Sequence, residues 1–598
     1  MADSRFTGHA VALAALLLAA SPAAAAEAVL RAPGAPGPVV SALETAALSL
    51  QTARDDGATA QDILAAARAD YGRLVGALYA RGYYAPVVTI RLDGREAAGI
   101  APLSVPDRVG RVDIRVETGP RFSFSEARIG PLAPGTELPE DFAPGNRARL
   151  SAIRGAATAG VSGWRDAGHA KARVAGQDLT ADHRSATLAA RIALAPGPYV
   201  RFGNLVIEGE SRVRPERLRK IAGLPSGEPF DPEAVEQSAE RLRRTGVFRS
   251  VRLAETDTLR PGNTMDIALS VSDEKKRRLG FGAEFSSLEG LALSGFWLHR
   301  NLLRGAERLR FDAGISGIGG TDSGGEDYTL SARFDRPAVL DPDTGIYALA
   351  AIERLDEPDS VEETGRFGVG LTHVFSDRLS GEAALVFRYS DVSDDLGERS
   401  MTHAMLPASL TWDGRDDPLD PRAGTYLATT LTPMFGLSGD ADSGARLTAD
   451  ARAYRAVSER VVLAGRVQFG SIMGANAKGV PPAMLFFSGG GGTVRGQPYE
   501  SLAVELGGGD RIGGRSFLGL SAEARVEVRG PFSLVAFADA GFIGPESWVG
   551  GDGEWHSGAG LGLRYATGIG PIRVDIAAPT SGDTGDGVEI YIGIGQAF

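Results

Sequence analysis

The sequence predicts a two-part chain: three small α+β domains followed by a transmembrane antiparallel β-barrel of about 16 strands. Three observations predict it. From about Arg278 to Phe598, short alternating segments follow one another with no helical pattern between them. Upstream, strand and helix patterns recur at a spacing of about 75 to 90 residues, which reads as a row of beads. The mean hydropathy is close to zero, as suits a wall that hides every second residue from lipid, whereas membrane helices would make it clearly positive.

At the N-terminus, Arg5 precedes the apolar stretch Val11–Ala20, and Ala24-Ala25-Ala26 offers a small-residue cleavage site. Residues 1–26 are therefore expected to be a secretory signal peptide, with the mature chain starting at Glu27. Val11–Ala20 is too short for a retained membrane anchor.

The first domain is expected over 27–119. Asp62–Arg81 reads as a helix leading into strands at Tyr83–Leu92 and Arg111–Glu117, while Val29–Val40, rich in Pro and Gly, makes a poor first strand. The second, 120–196, has a strand at Phe122–Ile129, a helix around Ala148–Asp166 and strands at His169–Ala175 and Ser185–Leu194. The third, 197–275, shows the clearest order, β-α-α-β-β. Its strand Val200–Glu208 is followed by helices Pro215–Ala222 and Pro232–Thr245 and by strands Phe248–Ala254 and Met265–Ser272. Asp231 before Pro232 is a good N-cap with proline in the first turn, and Gly246 stops that helix. Val235, Ala239 and Leu242 supply its buried stripe.

The barrel is expected over 276–598. In Tyr328–Asp335, the residues Tyr328, Leu330, Ala332 and Phe334 share one parity, and Thr329, Ser331, Arg333 and Asp335 the other. Leu309–Ile315 and Ile572–Ile576 repeat the period of two. An amphipathic strand could equally serve a soluble sandwich, so number and spacing decide. About 16 strands of roughly ten residues fit a membrane barrel. They start near Leu279, Leu291, Ala306, Glu326, Gly345, Gly365, Leu379, Thr402, Gly424, Ala445, Arg460, Ser516, Pro531, Trp555, Gly570 and Gly587. Long polar loops are expected at one end, at Ser316–Gly325, Leu355–Gly365 and Ile543–Glu554, and tight turns at the other, at Ser376–Arg378, Ser458–Arg460 and Arg529-Gly530. One exceptionally long connection, 472–515, joins the eleventh and twelfth strands.

Composition narrows the function. The 598 residues include no Cys, which excludes a disulfide framework and thiolate metal sites, and the net charge of −12 argues against a nucleic-acid partner. The seven His are scattered without ligand spacing, so no metal is expected. Ser488–Gly492 is glycine-rich, but no Gly-Lys-Ser/Thr follows and the context is not strand-to-helix. Gly436-Leu437-Ser438-Gly439 is no nucleophile elbow, because Asp440 stands where the second glycine belongs. Neither a catalytic constellation nor a cofactor is expected.

The mature chain resembles the superfamily of outer-membrane assembly and translocation proteins, in which periplasmic POTRA (polypeptide-transport-associated) domains precede a 16-stranded barrel. Arg244-Thr245-Gly246-Val247-Phe248 is similar to a POTRA helix-to-strand junction, and Phe296-Trp297-Leu298-His299-Arg300-Asn301-Leu302 to the family's second barrel strand. Trp412-Asp413-Gly414-Arg415-Asp416-Asp417-Pro418, with Pro421 and Gly424, is similar to its periplasmic turn. Phe537-Ala538-Asp539-Ala540-Gly541 and Gly570-Pro571-Ile572-Arg573-Val574-Asp575 match two late strands. The most specific match is Val494-Arg495-Gly496 within the long connection.

The resemblance implies that this loop folds back into the lumen and that Arg495 meets Glu523 and Asp539 on the inner wall. A guanidinium in a shielded lumen requires bidentate carboxylate partners. Gln497 departs from the aromatic residue usual there, and Tyr499 is expected to fill its place. In the last strand, Val588, Ile590, Ile592, Ile594 and Phe598 share the lipid-facing parity, and the terminal aromatic resembles the recognition signal of outer-membrane proteins. Gly593 and Gly595 weaken that strand where it closes against the first, which carries Leu279 and Phe281. A lateral seam formed by Leu279, Phe281, Gly593, Gly595 and Phe598 is therefore expected.

Three domains and a chain of this length are similar to the TamA branch, and Leu78–Pro86 is similar to that branch's first domain. The branch implies a Gram-negative outer-membrane factor, with its domains in the periplasm. It would insert or secrete autotransporter-like proteins without nucleotide. The partners implied are a TamB-like periplasm-spanning protein, unfolded outer-membrane protein substrates and outer-membrane lipid. Two-partner secretion is the alternative. A passive porin, from another class, leaves the repeats and the Arg495 loop unexplained.

Overall fold

The computed structural model describes residues 26–598 except 56, 102–106, 287–289, 321–323, 358, 508–509, 569 and 586; the expected signal peptide lies outside the described residues up to position 25. The chain separates into two compact units. One runs to Phe202 and adds Gly227–Pro232 and Arg260–Thr264, and the other holds Gly203–Ser226, Glu233–Leu259 and Met265–Phe598.

The first unit contains two α+β sheets. In the first, Glu27–Arg31 runs parallel to Arg111–Glu117, which pairs antiparallel with Val87–Leu92. A strand therefore exists where a poor one was expected. Pro33, Gly34 and Pro36 fall in the turn and at the start of the helix Gly37–Ala46, where proline costs no hydrogen bond. The long helix Ala60–Tyr79 is started by a capping box in which Thr59 and Asp62 bond each other's backbone N–H. Leu64, Ala67, Leu74 and Leu78 on it join one core with Ile90, Val112 and Ile114. The second sheet has the order Ser123–Gly130, Thr187–Ala195, Arg173–Asp182. Its helix, Leu150–Asp166, packs Ile153 and Ala156 with Phe124 and Ile192.

The third sheet has the strand order Arg201–Glu208, Thr264–Asp273, Phe248–Glu255, with helices Pro215–Ala222 and Pro232–Arg244. Gly223, at φ 60°, ends the first of these helices in the left-handed conformation that favours glycine. Both helices hold the barrel turn that follows the fourth barrel strand, Asp327–Arg336. Arg217 is buried and donates to the carbonyls of Pro337 and Ala338. Lys220 Nζ donates to Val339 O at 2.6 Å, and Arg241 forks onto Asp343 at 2.7 Å with Arg244 alongside.

The barrel is closed and antiparallel, with strands in chain order. Sixteen strands make the wall when Gly397–Met405 and Ala408–Asp413, collinear pieces broken at Leu406-Pro407, are taken as one. Proline cannot donate to a ladder, which explains the break. Several strands exceed ten residues, among them Leu379–Asp394 and Gly424–Gly439. One expected loop is absent: Glu357 pairs with Ser360, so Leu355–Gly365 is a tight hairpin. Among the described residues, no helix is long and apolar enough to cross a membrane.

Candidate functional site: the lumen loop and the seam

The connection between the eleventh strand, Val461–Met473, and the twelfth, Ser516–Arg529, folds into the lumen. Its first part builds an apolar plug. Val480, Met484, Leu485 and Phe486 pack with the wall residues Val386, Met405, Met434, Ile472, Phe517 and Ile543. Polar bonds pin this part: Ala483 N donates to Glu362 at 3.0 Å, Arg388 donates to the other oxygen of Glu362 at 2.7 Å, and Arg446 donates to Met484 O at 2.8 Å.

The second part carries Val494, Arg495 and Gly496, all buried. Arg495 forks onto Asp539 (Nε to Oδ2 2.7 Å, Nη2 to Oδ1 3.0 Å) and its Nη1 donates to Glu523 at 2.8 Å. The guanidinium also lies 3.6 Å from the centre of the Phe537 ring and 3.5 Å from Asp575. Arg525 bonds the second oxygen of Glu523 at 2.9 Å, and Arg564 bonds Asp575. Arg495, Arg525 and Arg564 thus face Glu523, Asp539 and Asp575, so the buried cluster is charge-balanced. Balance and shared hydrogen bonds are what allow charges to be buried.

Asp575, Arg525, Arg564 and Phe537 were not expected as members of this cluster. The signal was present for Asp575, which alternates with Ile572, Val574 and Ile576 and so belongs to the lumen face. Gly496 has φ 89°, and a Cβ there would lie 2.7 Å from the backbone of Ala578, so glycine is required. Gln497 keeps its own place. Its amide donates to Ser557 O at 2.8 Å and Ser581 O at 3.0 Å and accepts from Thr584 at 2.8 Å. Tyr499, expected to fill that place, instead bonds Glu357 at 3.1 Å, because the chain has already turned toward the fifth strand, Thr344–Glu357.

The wall closes between the first strand, Arg277–Ser286, and the last, Glu589–Ile594. Among the described residues they pair only at Phe285–Ile592 and Ser286–Tyr591. By contrast the first strand pairs with the second from Arg277–His299 to Ser286–Gly290. Leu279 and Phe281 lie on this sparsely paired edge, Phe281 with 87% of its surface exposed. Gly593 faces Arg573 in the ladder, and the Arg573 guanidinium reaches Glu284 of the first strand at 2.6 Å. Gly595 lies beyond the last strand with φ 100°. There the chain leaves the wall.

Phe598 is consequently not on the lipid stripe. It is 7% exposed and packs inside the lumen with Tyr454 and Ala464. The parity expected for it fails because the turn at Gly595 ends the strand period. Tyr591, unremarked in the sequence, faces the lumen, where its hydroxyl accepts from Gly496 N at 3.1 Å. The last strand is therefore tied to the loop.

Residues 301–598 match the Omp85 superfamily domain, and residues 200–273 match the surface antigen variable number repeat, a POTRA domain. The outer membrane protein assembly factor BamA of Nitratidesulfovibrio vulgaris is 24% identical over 398 residues, 64% of this chain and 48% of that protein. BamA of Neorickettsia risticii is 25% identical over 67% of this chain and 55% of its own length. The chain thus spans about half the length of these curated relatives. The crystal structure of Haemophilus ducreyi BamA lacking POTRA domains 1–3 superposes with a TM-score of 0.60 at 16% identity, covering 79% of this chain and all of that one. CdiB from Acinetobacter baumannii gives 0.51 at 12% identity, over 80% of this chain and 90% of that one. These likenesses are of fold. Barrel, POTRA repeat and family matches agree: the chain is an outer-membrane protein of the Omp85 superfamily.

Proposed function

We propose that this protein assembles or secretes other β-rich outer-membrane proteins by opening the seam between its first and last barrel strands. The observation that carries this reading is the edge Arg277–Glu284 of the first strand, which among the described residues has no ladder partner in the last strand, the two strands pairing there only at Phe285–Ile592 and Ser286–Tyr591. Main-chain hydrogen bonds add along a ladder, so this junction has the smallest barrier to opening, and the sparsely paired edge Arg277–Glu284 can accept an incoming strand by β-augmentation. The names of the BamA relatives support the reading. Three α+β repeats ahead of the barrel support the TamA branch, with autotransporter-like clients and a TamB-like partner docking on those repeats. The apolar plug of the long loop argues against a passive porin, which needs an open lumen.

The test uses a disulfide lock. The chain has no cysteine, so Phe285→Cys with Ile592→Cys supplies the only thiols, on facing positions of the seam. Oxidation should abolish client assembly by the reconstituted protein, and reduction should restore it. Full activity in the oxidised, cross-linked protein would sink the proposal.

A further inference from the structure

At the periplasmic rim a cavity of about 270 Å³ lies where the end of the helix Pro232–Arg244 meets the barrel turn that follows the fourth strand. Five arginines line it, Arg241, Arg244, Arg308, Arg333 and Arg336, against three carboxylates, Asp335, Asp343 and Glu382. The carboxylates are already engaged. Asp343 accepts from both Arg241 and Arg244, and Arg333 donates to Asp335 and to Glu382, each at 2.9 Å. Two guanidiniums are left over. That of Arg308 has no hydrogen-bond or ion-pair partner among the described residues, and that of Arg336 stands 3.9 Å from Glu307, beyond hydrogen-bond reach. A cavity walled by unengaged guanidiniums selects an anion, and the oxygens of a phosphate suit their planar forks.

The outer wall of the same strands carries an apolar groove of about 600 Å³. Arg336 ends the lipid-facing parity that runs through Leu330, Ala332 and Phe334, and it pairs with Ile346, which also lines the cavity. Further along that face, Ala332, Ala350 and Phe367 form one row in register, and Leu330, Ile352 and Gly365 form the next. The small residues make the floor of the groove. Its sides are Phe311 and the ring of Phe367, which stacks on Phe387 at 5.3 Å. A Cβ at Gly365 would meet nothing within 4 Å, so the floor is open there. These rows lie four to six residues from Arg336. At about 3.3 Å per residue and a strand tilt of about 40°, the groove is roughly 10–15 Å deeper in the membrane than the rim. An acyl chain of one leaflet, half of a core about 30 Å thick, reaches that depth.

We propose that cavity and groove together form a binding site for one phospholipid with an anionic headgroup, its phosphate held by Arg308 and Arg336 and an acyl chain laid in the groove between Phe311 and Phe367. A soluble anion would fill the cavity and leave the groove unused, and a lipid without net charge would do the reverse. An anionic phospholipid matches both. The site stands on the third to seventh strands, apart from the seam between the first strand and the last. Arg241 and Arg244 belong to the third domain and line the same cavity, so the bound lipid bears on how that domain is held against the barrel.

The probe is palmitoyl-oleoyl phosphatidylglycerol, titrated into the full-length protein in detergent and followed by native mass spectrometry. A copy with a diazirine at the end of one acyl chain locates the site by cross-linking. One lipid should bind ahead of the rest, with adducts on 330–332, 350–352 and 365–367. Arg308→Gln and Arg336→Gln should each weaken it about tenfold or more, the effect of losing a charge-assisted hydrogen bond. Phosphatidylcholine with the same chains should bind the native protein about as weakly as phosphatidylglycerol binds the double variant. Gly365→Leu, which fills the groove floor away from the arginines, should also weaken the lipid, and it keeps the test open should the arginine variants not assemble. Inorganic phosphate should displace the lipid only at millimolar concentration. Equal affinity for phosphatidylcholine, or adducts spread around the whole barrel, would overturn the proposal. Displacement by micromolar phosphate, with Gly365→Leu without effect, would overturn the lipid in favour of a free anion.

Discussion

Removing the side chain of Arg495 should release the lumen loop, and the structure sets the size of the effect. Arg495 is the cation that forks onto Asp539, its Nε and Nη2 donating to the two carboxylate oxygens at 2.7 and 3.0 Å. In Arg495→Ala, Arg525 and Arg564 retain Glu523 and Asp575, and Asp539 is left as a buried charge with its main partner gone. Breaking a buried pair in this way costs about 3–5 kcal/mol. At about 1.4 kcal/mol per factor of ten, the loop-released population rises by roughly two to three and a half orders of magnitude. Because the chain has no cysteine and Val494 is fully buried, Val494→Cys provides a single reporter. Maleimide labelling of that thiol should accelerate by the same factor in Arg495→Ala. Arg495→Lys should lie between, since an ammonium cannot fork, and Arg495→Ala with Asp539→Ala should recover part of the protection. Equal labelling rates with and without the arginine would refute the reasoning, for they would mean that the plug alone holds the loop.

Arg217→Ala should loosen the turn that joins the third domain to the barrel: the carbonyls of Pro337 and Ala338 lose a buried donor, at about 1–3 kcal/mol for each group left unsatisfied. Hydrogen exchange at the amides of 338–344 should speed up, while exchange in the lumen loop stays unchanged. The loop should also respond to pH through Glu500, whose carboxyl burial and the nearby Glu357 and Asp359 push from 4.5 up to about 8. A raised acid is held neutral in the folded loop at low pH. The stability this gives is full below about 4.5 and is lost as pH rises through about 8. Protease sensitivity of the loop should therefore climb across that window in the native protein and remain flat in Glu500→Gln.

The barrel was legible in the sequence because its signal is local. Alternation such as Tyr328–Phe334 against Thr329–Asp335 states which face meets lipid without knowledge of the neighbouring strands. The starts expected at Leu379, Gly424 and Ser516 are strand starts in the fold. Arg495, Glu523 and Asp539 could be named together because lumen parity and a loop arginine restrict their partners, and the fold brings the three into contact.

Other features depend on chain paths that no local pattern encodes. Parity extrapolated Phe598 to the lipid face, yet a single left-handed turn at Gly595 redirects the tail inward, where Tyr454 and Arg525, more than seventy positions earlier, form its cradle. Asp575, Arg525 and Arg564 complete the Arg495 cluster only because their strands are adjacent in the closed wall. The sequence by itself determined the strand periodicity and the polarity of each face, which follow from the two-residue repeat of the extended chain. Only the tertiary structure decided where the first and last strands pair and which charges share the lumen, because register and long-range electrostatic balance are properties of the assembled sheet.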